Sequence, residues 1–227
     1  MELYEVMRTT FAAREFTDDD VSDETLYRVL ENARFAPSGG NRQGARVIVI
    51  RDLTTRERLA QLALPTVKRY VAQIAHGQAP WNPLEPCVPT QAEIDATEVP
   101  PILTDSVINA PVVLLVCLNL AVVAASDQHL SRIGVISGAS IYPLVWNILL
   151  SARNEGLGGT ITTWVAAQES EVRDMLSIPD NYAVCAALPI GVPRKQLTRL
   201  RRKEVASFVT LEQFDGAPFG AEKNSSS

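Results

Sequence analysis

The sequence predicts a chain of mixed helices and strands, and three observations predict it. Residues 45–50, 111–120 and 182–190 are short apolar runs rich in β-branched side chains, the composition of buried strands. Residues 25–36, 54–77, 135–152 and 170–176 instead carry apolar side chains at helical spacing. Between the first long helix and the first strand, in residues 33–50 (ARFAPSGGNRQGARVIVI), lies a loop that can hold neither element. Pro37 disfavours helix at Ala36, and Gly39 and Gly40 permit a tight turn.

In chain order, Leu3, Val6 and Met7 suffice for a short opening helix over 2–7, and Asp18–Asp20 with Asp23 surround the N-cap of the helix at 25–36 as a solvated helix entry. The loop after it offers the Ser38 hydroxyl and the Asn41 and Gln43 amides, a set that suits a flat, multiply hydrogen-bonding ligand better than a metal. An ordinary helix-to-strand turn would carry the same residue types. Within 54–77, Leu59, Leu62, Val67, Val71 and Ile74 set the apolar face, and Pro65 is expected to break or kink the helix. Residues 78–106 contain Pro80, Pro83, Pro86, Pro89, Pro100 and Pro101 without a sustained period. They read as a functional lid or mobile segment, or as a disordered surface insertion, and Trp81 offers an aromatic substrate contact from there. The helix at 135–152 is apolar nearly all round, which places it in the core or at a subunit interface. Pro143 is expected to kink it, and Arg153 and the glycines from Gly156 to end it. The division that follows is a core over 1–193 with an insertion near 78–106, an arm over 194–219, and a disordered tail over 220–227.

Composition narrows the function. A length of 227 residues suits one large domain, and 46% hydrophobic content is ordinary for a globular chain. A net charge of −5 argues against a general nucleic-acid binder, because phosphate neutralisation needs clustered Lys and Arg. The one basic cluster is Arg194, Lys195, Arg199, Arg201, Arg202 and Lys203. Cys87, Cys117 and Cys185 show no CxxC spacing, and Cys117 and Cys185 sit in apolar runs as small buried hydrophobes. His76 and His129 lack ligand-spaced partners, so no metal site is expected. The first residues have no apolar leader, and the longest apolar run, 110–118, is far shorter than the roughly 20 residues a bilayer span needs. The expectation is a cytoplasmic protein without a membrane partner.

Three motifs in order carry a resemblance. Ala36-Pro37-Ser38-x-x-Asn41-x-Gln43 before a strand resembles the signature loop of the nitroreductase family of FMN-dependent oxidoreductases. Trp146-Asn147-Ile148-Leu149-Leu150-Ser151-Ala152 leading to Gly156-Leu157-Gly158-Gly159-Thr160 is similar to that family's central helix and its GLG exit. Ile178-Pro179, then 186–190, Gly191 and Pro193, resembles its last core strand. The resemblance spans roughly residues 4–216. It implies an α+β fold, a small, mostly antiparallel sheet flanked by helices, in an intertwined homodimer whose C-terminal arm wraps the partner and whose flavin sites lie at the interface.

The same resemblance implies roles. Arg14 is expected at the flavin N1–O2 edge or the phosphate, Ser38 and Asn41 at the ring, and Gln43 at the ring or ribityl chain. Ile161, Thr162 and Thr163 are expected along the ring with a backbone N–H to N5, and Arg199 and Arg201 at the phosphate. Where many relatives read Arg-Arg-Ser-x-Arg, this chain has Thr10, Phe11, Ala12, Ala13 and Arg14, so Arg8 and Thr10 are the available replacements for the missing phosphate contacts. Gly44-Ala45 stands where relatives often carry Pro-Trp. Without the resemblance, Arg14 would be a surface ion pair with Glu15 or Asp18, and Arg199 and Arg201 a solvated basic tail. No Ser-His-Asp set, paired carboxylates or GxGxxG is present, which agrees with chemistry carried by flavin N5. The implied activity is ping-pong hydride transfer from NADH or NADPH to an electron-poor small molecule such as a nitroaromatic or quinone. Dehalogenation, flavin cleavage or azoline oxidation on the same fold, and a non-enzymatic flavin sensor, are the alternatives.

Overall fold

Four strands, β1 (Ala45–Ile50), β2 (Val112–Asn119), β3 (Gly158–Gly159) and β4 (Tyr182–Gly191), form one antiparallel sheet in the order β1-β2-β4-β3 in the computed structural model, which describes residues 1–220. The register pairs Ala45 with Leu118 and Ile50 with Val113, then Asn119 with Tyr182 and Val112 with Ile190. One irregularity in register falls at Val116/Cys117. Among the described residues seven α-helices surround the sheet: α1 (Leu3–Thr9), α2 (Asp23–Ala33), α3 (Leu53–Ala75), α4 (Gln91–Ala96), α5 (Ile102–Asn109), α6 (Tyr142–Asn154) and α7 (Glu169–Leu176).

The alternation of side chains along β2 explains the layering. Val113, Leu115 and Cys117 point to one face and pack with Val184 and Ala187 against Leu59 and Val67 of α3, Val107 of α5 and Val172 of α7. Val112, Leu114, Val116 and Leu118 point to the other, with Ala186, Leu188 and Ile190, against Leu26 and Val29 of α2 and Val145 and Ile148 of α6. A strand covered on both faces has no polar side to show, hence the unbroken VVLLVCL of β2. Each such Val, Leu or Ile contributes on the order of 1.5–3 kcal/mol when fully buried.

Several sequence expectations need correction. The run at 45–50 is an edge strand, with Arg46 and Val49 exposed, rather than a buried one. Pro65 does not break α3, which runs unbroken over 23 residues. It lies on the exposed side, where water can reach the Gln61 carbonyl that loses its donor. The helix expected over 135–152 is two elements: a 3-10 turn at Ile136–Ser140, a break at Ile141 (φ −132°, ψ −45°), and then α6. Pro143 therefore starts a helix instead of kinking one, in the first turn where its missing N–H leaves no bond unmade. Residues 78–106 are not all loop. Thr90 and Glu93 form a reciprocal capping box that opens α4, and α5 begins directly after Pro101. The helix expected over 25–36 runs from Asp23 to Ala33, and its N-cap, among the aspartates as expected, is Ser22, which accepts from Thr25 N–H.

Residues 194–219 contain little regular structure, a short 3-10 turn at Val205–Ser207 and an isolated bridge between Thr210 and Pro218, with Phe208 and Phe214 exposed. The tail expected at 220–227 lies, past Gly220, outside the described residues. No described helix is long and apolar enough to cross a membrane.

Candidate functional site

The loop between α2 and β1 is held in an unusual backbone shape. Gly40 (φ 60°), Asn41 (φ 54°) and Gln43 (φ 50°) all adopt the left-handed region, which costs a non-glycine residue about 1–2 kcal/mol. Polar contacts hold it there. Ser38 Oγ accepts from Gln43 N–H at 3.0 Å, and Gly39 N–H donates to Ser140 Oγ at 3.1 Å. Arg42 Nη1 reaches Val122 O at 3.4 Å. Gln43 Nε2 turns back to Asn41 O at 3.3 Å, while the Asn41 side chain stands exposed. Strain maintained by a dedicated bonding set is a mark of a working loop rather than a neutral turn.

A second group forms around Arg14. Ala13 N–H donates to Gly159 O at 3.0 Å, so the segment carrying Arg14 lies alongside β3. Close approach is possible because residues 158 and 159 are glycines: a Cβ on Gly158 would sit 3.0 Å from Ala13 Cβ, and one on Gly159 2.7 Å from Pro189 O. Beyond β3 the chain pairs once more with β4, Thr162 exchanging both backbone bonds with Ala187. Thr162 is thus buried with its side chain, and its Oγ1 has no partner, while Ile161 and Thr163 are exposed. Backbone direction alternates along a paired edge, so the N–H of Thr163 faces away from β4, and it makes no hydrogen bond among the described residues.

Arg14 itself is half-buried and lines a polar cavity of about 510 Å³ with Arg194, the carboxylates of Glu15, Asp18 and Asp105, and Phe16, Ile102 and Asn109. It is not the surface ion pair considered above. Asp18 pairs with Arg194 at 3.6 Å, and the hydrogen bond Arg14 makes is a long one, 3.5 Å, to Ala12 O.

These two groups sit at opposite ends of the sheet. The Ser38–Gln43 loop enters at the Leu118 end, where Asn119 N–H donates to Gly44 O at 2.9 Å, and the Arg14 segment lies at the Val112–Ile190 end. The eight residues of β2 separate them by about 23 Å at ~3.3 Å per residue. One chain does not bring all the expected ring contacts together. The basic residues form a third region. Arg8 is exposed on α1, its guanidinium 6.0 Å from the Tyr4 ring, and Arg199 and Arg201 are exposed in the arm. Gln196 Nε2 bonds Thr9 O at 3.0 Å, which seats the root of the arm beside Arg8. Trp81 is left-handed (φ 56°), with its N–H bonded to Gln73 Oε1 at 3.1 Å and its ring 4.2 Å from the Arg69 guanidinium.

Sequence reading missed Ser140, Asp105, Asn109, Arg69 and Gln73. Asp105 lay inside the stretch read as loop, 78–106, and Asn109, four residues on along α5, just beyond it. A buried Gln at a helical core position was the available signal for Gln73, which is 2% exposed. Cys117 is buried as expected, whereas Cys185 is only half-buried; desolvation pushes the first thiol up to about 12 and the second up to about 11, which disfavours the thiolate at both.

Comparison with known proteins identifies the fold and the family. A protein of Archaeoglobus fulgidus provisionally assigned as an NADH dehydrogenase/NAD(P)H nitroreductase is 25% identical over 210 residues, 86% of this chain and 87% of its own. The fold recurs in the NADPH:FMN oxidoreductase of Vibrio harveyi solved with NAD+, at 18% identity and a TM-score of 0.65 over 93% of this chain and 77% of that one. It recurs too in an iodotyrosine deiodinase bound to FMN and 3-iodo-L-tyrosine, at 22% identity and a TM-score of 0.66 over 94% and 100%. At such identities the two structures speak to fold alone. The nitroreductase family model, however, matches residues 7–192, from α1 to the end of β4, and the chain belongs to the nitroreductase family of FMN-binding oxidoreductases.

Proposed function

We propose that this chain is an FMN-dependent oxidoreductase, working as a homodimer, that passes hydride from NADH or NADPH to a small electron-poor acceptor such as a nitroaromatic or quinone. The observation that carries the reading is the Thr163 backbone N–H, unbonded and turned from β4, on the same margin of the sheet as the glycine strand that seats the Arg14 segment. A reducible ring system needs a fixed donor and a positive charge along its edge, already oriented before electrons arrive.

The residues fit the cofactor. The cavity at Arg14 is polar and roomy, and Arg14 has no carboxylate partner among the described residues. Bound FMN would supply the two-electron chemistry, taking up hydride at N5 and giving it to the acceptor. Arg14 would hold positive charge where the reduced ring is anionic, and Thr163 N–H would orient the ring edge. Ile161 would lie along the ring, and Thr162, buried and paired to Ala187, would keep that edge in place. Ser38, Asn41 and Gln43 would supply polar contacts, and Arg8, Arg199 and Arg201 the phosphate contacts. Trp81 would stand on the acceptor side.

The separation of the two groups favours a dimer in which each ring is held by the Arg14 region of one chain and the Ser38 loop of its partner. Beside that loop an apolar cavity of about 720 Å³, lined by Val135, Tyr142 and Cys185 among others, opens on a surface where Leu120, Ile133 and Val135 stand exposed. A second copy covers such a surface, and the arm over 194–219, with its exposed Phe208 and Phe214, is suited to wrap it. The core, the insertion at 78–106 and the arm are then three working parts.

Purified protein is expected to be yellow and to release FMN, identified by mass spectrometry. Anaerobic NADH or NADPH bleaches it, and a nitroarene or quinone restores the colour. Donor and acceptor take turns at one face, so initial rates give parallel double-reciprocal lines. Release of FAD, or a flavin inert to both nucleotides, overturns the proposal.

A further inference from the structure

We infer that the acceptor is an aromatic compound bearing an anionic group such as a carboxylate, and that Arg69 is the residue that selects it. This rests on the flavin reading above. Arg69, on α3, is half-buried, and its guanidinium stacks 4.2 Å from the centroid of Trp81. Stacking uses the flat face of the guanidinium and leaves its in-plane N–H donors free. Among the described residues none accepts a hydrogen bond from Arg69 and none forms an ion pair with it, and its Nε is cut off from solvent without a partner. Arg56 and Arg173 have a similarly orphaned Nε, but their Nη atoms are engaged, Arg56 with Ile108 O and Ala110 O, Arg173 with Asp180 and Glu169. Arg69 lacks even that. A desolvated cationic donor with nothing to donate to is unfavourable until a ligand completes it.

The stack is also built rather than incidental. Trp81 is kept in a left-handed conformation by its N–H bond to Gln73, whose side chain is buried. The next residue along α3, Tyr70, packs its ring 6.1 Å from that of Trp164. Trp164 follows Thr163, the residue assigned to the ring edge of the cofactor. Arg69, with Trp81, and Tyr70, with Trp164, therefore occupy consecutive positions of α3, and Trp164 lies one step along the chain from the residue assigned to the ring edge. Flat rings match the tryptophan faces, and a planar carboxylate matches the free fork of Arg69.

The test compares 4-nitrobenzoate with 4-nitrobenzamide, which share size and reacting group and differ in charge. Wild-type protein is expected to show kcat/KM at least roughly tenfold higher for the benzoate, the worth of one charge-assisted hydrogen bond. Arg69→Gln should erase the difference by lowering the benzoate value alone, and Arg69→Lys should keep part of it. Binding is read separately, without turnover, from quenching of tryptophan fluorescence by benzoate and benzamide. Equal values for the two acceptors in wild-type protein overturn the inference, and need no variant. An equal fall for both in Arg69→Gln also overturns it, because Arg69 would then only prop Trp81. If no flavin is bound or reduced, the proposed function fails, and the fluorescence comparison still judges Arg69.

Discussion

Arg14 is the residue on which the electrostatics of the proposed site turn. If its charge stabilises the reduced ring, Arg14→Ala lowers the two-electron midpoint potential, by about 30 mV for each ~1.4 kcal/mol of stabilisation removed, and Arg14→Lys keeps part of the effect. Arg199→Ala instead weakens FMN retention and leaves the potential in place. Spectroelectrochemistry alongside FMN titration separates the two, and an Arg14→Ala variant with weakened binding but an unchanged potential would make Arg14 a phosphate ligand. A second residue shapes the other end of the molecule. Asp127 is 5% exposed, and its carboxyl accepts from the N–H groups of Val135 and Ile136 and from Arg132. The Val135 N–H above all, then Arg132, holds it down to about 2. A lowered value means stability present above the ordinary carboxyl pKa near 4 and lost as pH falls through the folded value. The Tm advantage of wild type over Asp127→Asn should therefore be full at pH 6 and close between about pH 4 and pH 2. A difference independent of pH over that window would show that the charge is not what matters. Ser38, Asn41 and Gln43 were legible as one polar loop from residue type alone. Their left-handed backbone was not, since Asn and Gln usually sit at negative φ.

Among the elements, β3 is the shortest and the least forgiving. Gly159→Ala puts a methyl 2.7 Å from Pro189 O and 3.1 Å from Leu149 Cδ2, and neither a strand carbonyl nor a helix packed on the sheet can withdraw. We expect a loss of roughly 1–3 kcal/mol, or about 2–4 °C of Tm for each kcal/mol, together with weaker flavin retention, because the Ala13 contact moves with it. Thermal unfolding beside FMN titration checks both, and a variant as stable as wild type would mean that β3 is looser than its packing indicates. Strands were the most readable elements here. Their apolar runs are short, unbroken and bounded by Gly or Pro, so β1 and β4 fall within one residue of the expected limits. Prolines misled in both directions. Pro143 initiates α6, Pro65 rides the wet side of α3, and Pro101 leads into α5, three positions that differ in burial and direction rather than in sequence pattern. The Thr90–Glu93 box was present in the sequence but masked by the prolines on either side.

For the molecule as a whole, the decisive question is whether each flavin is shared. A composite site makes an unusual demand on mixed dimers. One chain carrying Gly159→Ala paired with another carrying Gly40→Val has one doubly damaged site and one wholly intact site if each ring is held by two chains. It has two singly damaged sites if each chain holds its own. Co-expressed and doubly tagged, such a heterodimer is expected to retain about one FMN per dimer at wild-type affinity, where either homodimer binds FMN weakly; two weakened sites, neither at wild-type affinity, would place the whole site in one chain. Such sharing could not be read from order and spacing along one chain, because it depends on which end of the sheet each group occupies. β2 is buried along all but its last residue, so its amides can meet water only when the entire structure opens. Residues 77–90, lacking regular structure, can open alone on a far faster clock. The cofactor would then be clamped to the slow part of the molecule and the acceptor wall hung on the fast part. Lineages could exchange one acceptor for another by altering the fast part while the slow one kept its grip on the flavin.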